Sequence, residues 1–351
     1  MHRFLCALAI TACLFVAPAT LAKAPKPLEI YFIDVEGGQA TLIVDPRGES
    51  LLIDTGWPGF GGRDAGRILA AARAAGLKQI DYVLITHYHS DHVGGVPQLA
   101  QQIKIGTFVD HGPNMEDSDG SRKLYSDYEK AIGRSKHLVL KPGDRLPFKG
   151  MTVQALTAAG EHITAPLSGV GAGVNQPNPV CASEAEAAAD ATENARSLGI
   201  LITYGKFRFI DLGDLTKRKE RELACPDNLI GTVDLYLSTH HGLSQSNDQA
   251  IVEALRPRVA IMNNGPHKGG SKEAWDTIHD SPGLEDLWQL HYAIDSGKEH
   301  NVAEMLIANP TENCEGKYIK VTADPDGDFT VFNSRNDYHK TYTKDIHASA
   351  R

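Results

Sequence analysis

Four side chains of the kind that bind metal ions stand within six consecutive positions of this sequence. His87, His89, Asp91 and His92 directly follow the apolar run 82–85, which predicts a short buried strand. Histidine nitrogen and aspartate oxygen are ligands that zinc and similar divalent ions prefer. On a tight loop, His87 and His89 can face one ion while Asp91 and His92 face a second. The spacing therefore predicts a centre of one or two zinc ions, with Mn²⁺ or iron as alternatives.

Further metal ligands are expected downstream, again at the ends of strands. Asp214 follows the apolar run 206–211, where its carboxylate can bridge two ions or cap the helix that comes next. His240 and His241 follow another apolar strand in a His-His-Gly tripeptide. We expect one of this pair to complete the shell of the second ion, with His241 favoured, and the other to orient substrate or support a ligand. Asp91 and His241 are the residues that we expect to act in catalysis as well.

Two more residues are candidates for contact with a substrate. Lys268 lies in a His-Lys-Gly-Gly segment after a predicted strand. A flexible lysine among glycines suits a substrate anion, phosphate in particular, although a solvated turn explains the segment equally well. Trp57 follows the Asp-Thr-Gly turn at 54–56 and is expected either in a pocket wall or in the core.

These motifs, in this order, resemble the metallo-β-lactamase superfamily, and within it the hydrolase domain of bacterial DNA-uptake competence proteins and their free-standing relatives. The resemblance covers about residues 29–288 and rests on the segments 32–40, 52–56, 87–95, 211–214 and 240–242. It implies an α/β fold, the αββα sandwich of two mixed sheets with outer helices, with the metals at one edge between the sheets. It also implies that Asp54 braces the metal loop from behind.

One segment departs from the pattern of most superfamily members, which carry a histidine shortly before the strand pair that ends in the bridging aspartate. Residues 192–197 read Thr-Glu-Asn-Ala-Arg-Ser, and the competence-type branch is similar here. The resemblance therefore implies a first ion held by His87, His89 and Asp214, with water or Asn194 in an open position that suits catalysis, or else a single ion. Less favoured substitutes for the missing histidine are His111, His162 and His291.

The ligand set and the resemblance together predict metal-assisted hydrolysis, in which a metal-activated water attacks a phosphodiester or phosphate ester. We expect Asp91 to hold the nucleophile, and a small-molecule or short phosphoester to be the substrate. Two alternatives remain: hydrolysis of a lactone or β-lactam, and an exported metal-binding protein without catalysis. The missing histidine disfavours a typical β-lactamase, and the intact ligand set disfavours loss of catalysis.

Composition and the first residues bear on partners and location. The chain of 351 residues has a formal net charge of −9, which disfavours a stable complex with nucleic acid. A basic start, the apolar run 4–16 and small residues before Lys23 predict a signal peptide over 1–22 and a hydrolase domain over 23–351. The apolar run is too short to span a membrane, so we expect a periplasmic or secreted protein. A lipid anchor on Cys13 is the less favoured alternative.

The rest of the pattern predicts two similar halves in which strands are followed by helices. Helices are expected at 63–75, 121–134, 217–223, 248–255 and 272–279, and a hairpin at 318–332. The pattern is lost at about 159–193, an insertion that we expect to form either a lid near the site or a disordered segment. Cys181, Cys225 and Cys314 allow one disulfide and one free thiol, and the sequence does not pair them.

Overall fold

The computed structural model describes residues 26–168, 171–182 and 190–344. The predicted signal peptide with Cys13, and residues 169–170 and 183–189 of the expected insertion, lie outside these residues. The strands are β1 Leu28–Phe32, β2 Thr41–Val44, β3 Ser50–Ile53, β4 Gln79–Leu84, β5 Lys104–Asp110, β6 Lys136–Val139, β7 Arg145–Leu146, β8 Thr152–Ala155, β9 Thr157–Ala158, β10 Glu161–His162, β11 Ile200–Tyr204, β12 Phe207–Asp211, β13 Leu235–Leu237, β14 Val259–Met262, β15 Asp286–His291, β16 Ile307–Asn309, β17 Ile319–Ala323, β18 Phe329–Asn333 and β19 His339–Tyr342. The α-helices are α1 Arg63–Ala74, α2 Ser90–Val93, α3 Val96–Ala100, α4 Asp119–Ile132, α5 Lys217–Ala224, α6 Gln249–Leu255 and α7 Lys272–His279.

The strands form two large mixed sheets. The first has nine strands in the order β19-β18-β17-β1-β2-β3-β4-β5-β6, and the second has eight in the order β16-β15-β14-β13-β12-β11-β8-β7. Each sheet combines antiparallel neighbours with a run of parallel strands: β3 to β6 in the first sheet and β12 to β16 in the second. The predicted pair of similar halves is visible in this order of strands.

The two sheets pack face to face because their strands carry apolar side chains on both faces. In β1, Leu28, Ile30 and Phe32 belong to the core between the sheets, whereas Tyr31 faces the helices on the other side of the first sheet. Successive side chains of a strand point to opposite faces, so a strand that is apolar throughout is buried on both. The core between the sheets takes Val153, Ile200, Phe209 and others from the second sheet.

Helices cover both outer faces. On the first sheet, α1 contributes Ile68 and Ala72 to a second core. On the second sheet, α5 and α6 contribute Leu223, Ile251 and Leu255 to a third. The result is the four-layer αββα sandwich predicted from the sequence, and this prediction is confirmed.

Some element bounds differ from the prediction. The strand expected from residue 197 begins at Ile200, because Asn194–Arg196 forms a 3-10 turn before it. The C-terminal hairpin continues into a third strand, β19. In the expected insertion at 159–193, the described residues from 167 to 178 hydrogen-bond to residues 226–232. No helix in the described ranges is long and apolar enough to cross a bilayer.

Candidate metal centre

The predicted ligands come together because each lies just beyond the carboxyl end of a strand. His87 to His92 follow β4, which is parallel to β3 and β5. Asp214 follows β12, and His240 and His241 follow β13, which is parallel to β12. Carboxyl ends of neighbouring parallel strands lie at one edge of a sheet, where α/β proteins commonly bind ligands. The facing edges of the two sheets therefore supply one common site.

Four of the predicted ligands form a compact buried cluster. Ligand atoms of Asp91, His92, Asp214 and His241 all lie within 4.8 Å of one another. Asp91 Oδ2 is 3.2 Å from His92 Nε2 and 3.1 Å from His241 Nε2, and His92 Nε2 is 3.2 Å from Asp214 Oδ2. Two carboxylates and two imidazoles at these separations can surround one divalent ion.

His87 lies near Asp214, and His89 lies beside His87. His87 Nε2 lies 3.0 Å from His89 Nδ1 and 3.9 Å from Asp214 Oδ2. His240 Nε2 is 3.2 Å from the same oxygen of Asp214, and His241 Nε2 is 3.5 Å from its other oxygen. The Asp214 carboxylate thus has three histidines near one oxygen and His241 near the other, which makes it the candidate for a bridging ligand. Both members of the His-His pair face the cluster, but only His241 also contacts Asp91.

The cluster contains buried polar atoms without partners. His92 Nε2 and Asp214 Oδ1 are fully buried and make no hydrogen bond within the described chain. Buried polar atoms are nearly always satisfied, and leaving one unpaired costs about 1–3 kcal/mol. A divalent ion bound between the two carboxylates and the imidazoles would satisfy these atoms. The donor set and its unpaired atoms therefore fit a metal ion.

In each histidine of the site, the ring nitrogen that points away from the cluster, here called the outer nitrogen, lies next to another protein group. The other ring nitrogen points into the cluster. Such partners fix the tautomer and orientation of metal-binding histidines. The pairs are His87 Nδ1 with Thr86 Oγ1 at 3.1 Å, His89 Nε2 with Glu116 Oε1 at 3.1 Å, His92 Nδ1 with Asp54 Oδ2 at 2.7 Å, His240 Nδ1 with Ser246 Oγ at 3.3 Å and His241 Nδ1 with Asn263 Nδ2 at 3.2 Å.

Asp54 lies behind the metal loop and holds it at two points. Besides its contact with His92, its carboxylate accepts hydrogen bonds from the Thr86 amide at 2.8 Å and the Thr86 hydroxyl at 2.7 Å. Asp54 itself has a φ of 59°, and His240 and His241 have φ values of 55° and 56°. This left-handed backbone costs about 1 kcal/mol or more in residues other than glycine, and such strain concentrates at functional sites.

The charges of the cluster depend on one another. Burial by itself would raise the pKa of Asp91 and Asp214, but the neighbouring His92 and the other cations hold both pKa values well below their usual range. Burial would lower the pKa of His92, yet the carboxylates of Asp214, Asp91 and Asp54 raise it well above its usual value. Burial lowers the pKa of His240 to about 4, despite Asp214 nearby. Both carboxylates are thus ionised at neutral pH, as metal ligands must be.

Lys268 lies at the mouth of this cluster. Its ammonium group contacts Asp91 Oδ2 and sits 4.8 Å from the centre of the Trp57 ring, a cation–π distance. Trp57 therefore lines the approach to the site rather than the core. The side chain of Lys268 is about one-third exposed, so its charge remains accessible to a ligand from solvent.

The three histidines considered as substitute ligands contact carboxylates outside the cluster. His111 Nε2 is 3.1 Å from Glu193 Oε2, His162 Nδ1 is 3.1 Å from Glu222 Oε2, and His291 Nε2 is 2.9 Å from Asp34 Oδ1. None of the three has a described contact with the cluster. The Asn194 side-chain oxygen is buried without a hydrogen-bond partner in the described chain, and Asn194 adjoins Glu193.

Two glutamates that sequence reasoning missed extend the site outward. Glu116 Oε1 contacts His89 and also accepts a hydrogen bond from the Glu193 amide at 3.0 Å. The Glu193 carboxylate in turn accepts from the Met115 amide at 2.9 Å and faces His111. Neither glutamate lies in a recognisable motif, so only the folded chain brings them to His89. Asn263 directly follows β14. The sequence pointed to it only weakly, as a polar residue just after an apolar strand.

Comparison with known proteins agrees with this geometry. Residues 33–175 match the family model described as the metallo-beta-lactamase superfamily. The resemblance to this superfamily and the fold predicted from the sequence are therefore confirmed. The superfamily fold binds divalent metals, and the cluster around Asp214 is the candidate site for them.

The relatives include two much longer proteins. The chain is 24% identical to ComE operon protein 3 of Bacillus subtilis over 55% of its own length and 21% of that protein. It is 26% identical to Recombination protein 2 of Haemophilus influenzae over 66% of its length and 24% of that protein. The chain thus matches about a quarter or less of either relative. Among solved structures, CmlA, a diiron β-hydroxylase from Streptomyces venezuelae, is similar with a TM-score of 0.39 and 16% identity, over 78% of this chain and 50% of that one.

Proposed function

We propose that this protein is an exported, metal-dependent hydrolase that cleaves a phosphodiester or phosphate ester. The observation that carries the substrate class is Lys268, whose ammonium group is held beside Asp91 and over Trp57 at the mouth of the metal centre. A phosphoryl group carries negative charge both before and during cleavage. A fixed cation next to the metal ligands stabilises that charge throughout the reaction.

Zinc is the ion that we propose for the centre, because imidazole and carboxylate are its usual ligands. When bound, the ion would polarise the phosphoryl oxygen and lower the pKa of a water toward about 7. His87, His89 and Asp214 would hold one ion, and Asp91, His92, His241 and Asp214 a second. The partners of their outer nitrogens keep these side chains in place.

The remaining residues of the site orient the substrate. Lys268 binds a non-bridging oxygen of the phosphoryl group, and Trp57 limits where the leaving group can lie. Asp91, which is ionised and faces Lys268, accepts a proton or hydrogen bond from the attacking water. His240 has a pKa of about 4, so it is neutral at pH 7 and acts as a ligand or hydrogen-bond acceptor rather than as an acid.

Export is part of the proposal, with the segment 1–22 as the signal peptide and the periplasm or the medium as the destination. The disulfide between Cys181 and Cys225 supports this location. Disulfides persist in oxidising compartments and are rare in the cytosol. The sequence left the pairing of these cysteines open.

The test is a substrate panel with metal-loaded protein: bis-p-nitrophenyl phosphate, p-nitrophenyl phosphate, a neutral lactone and nitrocefin. Lys268→Met should raise KM or lower kcat/KM for the phosphodiester about 10- to 100-fold, since a hydrogen bond to a charged group contributes about 1.5–3 kcal/mol. Lys272→Met is the matched control, because Lys272 is an exposed lysine four residues away at the start of α7, and it should leave kinetics unchanged.

Other outcomes would decide against the proposal. Turnover of the lactone or nitrocefin without the phosphoesters would establish the alternative of ester or β-lactam hydrolysis. Turnover of none of the four, together with less than about one ion per chain, would favour a binding protein. An equal loss of kcat/KM in Lys268→Met and Lys272→Met would contradict the role assigned to Lys268.

A further inference from the structure

A second group of unlike metal-binding side chains lies outside the centre described above. Asp34 follows β1 of the first sheet, His291 ends β15 of the second, and Cys314 lies in the loop between β16 and β17. Asp34 and His291 have no exposed surface, and Cys314 is half-buried. Carboxylate oxygen, imidazole nitrogen and thiol sulfur from three separate segments thus meet where the sheets approach each other.

The separations of the donor atoms are close to those around one small ion, with Asp34 offering one oxygen to His291 and the other to Cys314. His291 Nε2 is 2.9 Å from Asp34 Oδ1, Cys314 Sγ is 3.2 Å from Asp34 Oδ2, and Cys314 Sγ is 3.7 Å from His291 Nε2. Zinc binds nitrogen and oxygen at about 2.0–2.2 Å and sulfur at about 2.3 Å, so a tetrahedral site has edges of roughly 3.3–3.6 Å. The observed edges scatter around this range, and all the donor atoms lie within 4.8 Å of one another.

The same geometry argues against a nucleophilic cysteine. In a Cys-His-Asp relay, one ring nitrogen faces the cysteine and the opposite nitrogen faces the aspartate. Here Nε2 of His291 faces both Cys314 and Asp34. Nδ1 of His291 is buried and has no hydrogen-bond partner in the described chain. Convergence of both neighbours on one nitrogen is the arrangement of a metal site.

Nearby charges are compatible with an added cation. Glu36 Oε1 lies 3.8 Å from Cys314 Sγ, and Arg67 contacts Asp34 at 3.0 Å, Glu36 at 3.0 Å and the Cys314 sulfur at 3.4 Å. Ionised Asp34, Glu36 and Cys314 would carry three negative charges. The Arg67 guanidinium and a divalent ion balance them, since Arg63, which also contacts Glu36, is paired with Asp64.

We propose that Asp34, His291 and Cys314 bind one structural divalent ion of the zinc class, with Glu36 or water as the fourth ligand. Binding forms an S–metal bond and breaks the S–H bond of Cys314, and the proton is released to solvent, so no oxidant or reductant is needed. All three protein ligands are largely shielded from solvent, which suits a structural rather than a catalytic ion.

This ion would tie together the two sheets next to the segment that carries Lys268. Asp34 and Glu36 lead directly into Gly37, and a Cβ atom at Gly37 would stand 2.8 Å from Lys268 Cβ. On the other sheet, the carbonyl of His291 accepts a hydrogen bond from the Asn264 side chain at 2.8 Å. The proposed ion therefore links the loop after β1 to the end of β15 beside the Lys268 loop.

Cobalt(II) substitution tests the proposal, because a thiolate bound to cobalt gives a sulfur-to-metal charge-transfer absorption in the near ultraviolet. The main centre contains only nitrogen and oxygen ligands, so it cannot produce this absorption. The full oxidised chain is stripped of metal and titrated with cobalt. We expect the absorption to level off at the intensity of one thiolate-bound cobalt ion per chain once the main centre has also taken up cobalt, and to fall when zinc is added.

Variants identify the source of the absorption. Cys314→Ser should abolish it, whereas Asp214→Asn, which impairs the main centre, should retain it. Absence of the absorption in the wild-type protein, whose folding is not in question, would overturn the proposal. Its persistence in Cys314→Ser, or its loss in Asp214→Asn with the fold intact by circular dichroism, would overturn it as well.

Discussion

At the scale of single residues, the metal centre consists of histidines that are each oriented by a second protein group. Asp54 holds His92 at 2.7 Å, and Glu116 lies 3.1 Å from His89. A carboxylate next to the outer nitrogen makes the inner nitrogen a better ligand and stops the ring from rotating.

Glu116 gives the first prediction at this scale. Glu116→Gln should weaken divalent metal binding about 10-fold, up to 100-fold, because a neutral amide no longer polarises His89. Affinity is measured by competition with a chromogenic chelator. The matched control is Asp117→Asn, which removes the neighbouring carboxylate that pairs only with exposed Arg122 in the described contacts. Equal affinities of the two variants would show that Glu116 does not support His89.

The candidate ligand residues could be singled out from the sequence, whereas the residues that orient them could not. His87, His89, Asp91 and His92 are recognisable because four donors follow one strand within six positions. Glu193 and Glu116 are separated by 77 residues and meet through one hydrogen bond. No local pattern reports such a contact, because it exists only after both segments have folded against the sheets.

At the scale of elements, strand ends position the site. Residues 171–182 of the insertion pack elsewhere, whereas Glu193 at its end reaches Glu116 beside the metal loop. The described residues between 167 and 178 hydrogen-bond to residues 226–232, and Cys181 is joined to Cys225 at the end of α5. The disulfide therefore fastens this segment to the helices that cover the second sheet. The sequence indicated an irregular segment but not the surface on which it packs, because that surface is built by residues 40 or more positions away.

The disulfide leads to a prediction about stability. Replacing Cys181 and Cys225 together with serine should lower the free energy of unfolding by about 2–4 kcal/mol, because the bridge closes a loop with a sequence separation of 44. Urea unfolding of metal-stripped protein measures the change. Cys314→Ser, which removes an unbridged cysteine, is the control and should cost less. A double variant as stable as the wild type would show that this link adds nothing to the fold.

Helix α5 carries a carboxyl group whose ionisation should affect stability. Burial raises the pKa of Glu220 to about 7, although its oxygens accept hydrogen bonds from the amides of Asn247 at 3.1 Å and Asp248 at 2.8 Å. An unfolded glutamate has a pKa near 4.5. The folded protein therefore binds the extra proton between these values, and its stability falls as the pH rises through this interval.

Glu220→Gln tests this prediction because glutamine does not titrate. Relative to the variant, the wild-type protein should lose on the order of 3 kcal/mol between pH 5 and pH 8, since one pKa unit corresponds to about 1.4 kcal/mol. Urea unfolding at several pH values provides the comparison. Parallel stability curves for the two proteins would mean that Glu220 does not titrate in this range.

At the scale of the whole molecule, two sheets with helices on their outer faces bring distant segments to one edge. The strand-and-helix pattern predicted two similar halves, and the family resemblance implied the αββα sandwich that the three cores show. No sequence pattern predicted that Asp34, His291 and Cys314 would lie together. His291 was a less favoured substitute ligand for the main centre. The structure places it at the end of β15 in contact with Asp34 instead.

The main centre and the Asp34 group differ in a way that whole-molecule measurements can separate. The main centre has only nitrogen and oxygen donors and opens toward Lys268, whereas the other group includes sulfur and is largely shielded. Loss of metal from the first should remove activity, and loss from the second should mainly lower stability. Activity and thermal unfolding recorded during one metal titration therefore report on different sites.

The most direct test of the central claim is hydrolysis of bis-p-nitrophenyl phosphate by metal-stripped protein as zinc is added back. If Asp214 and its neighbours form a metal-dependent hydrolytic centre, the stripped protein is inactive, activity rises with added zinc, and Asp214→Asn stays inactive at every zinc concentration. Hydrolysis that persists in the stripped protein, or that zinc restores equally in Asp214→Asn, would contradict the assignment of this cluster as the reaction centre.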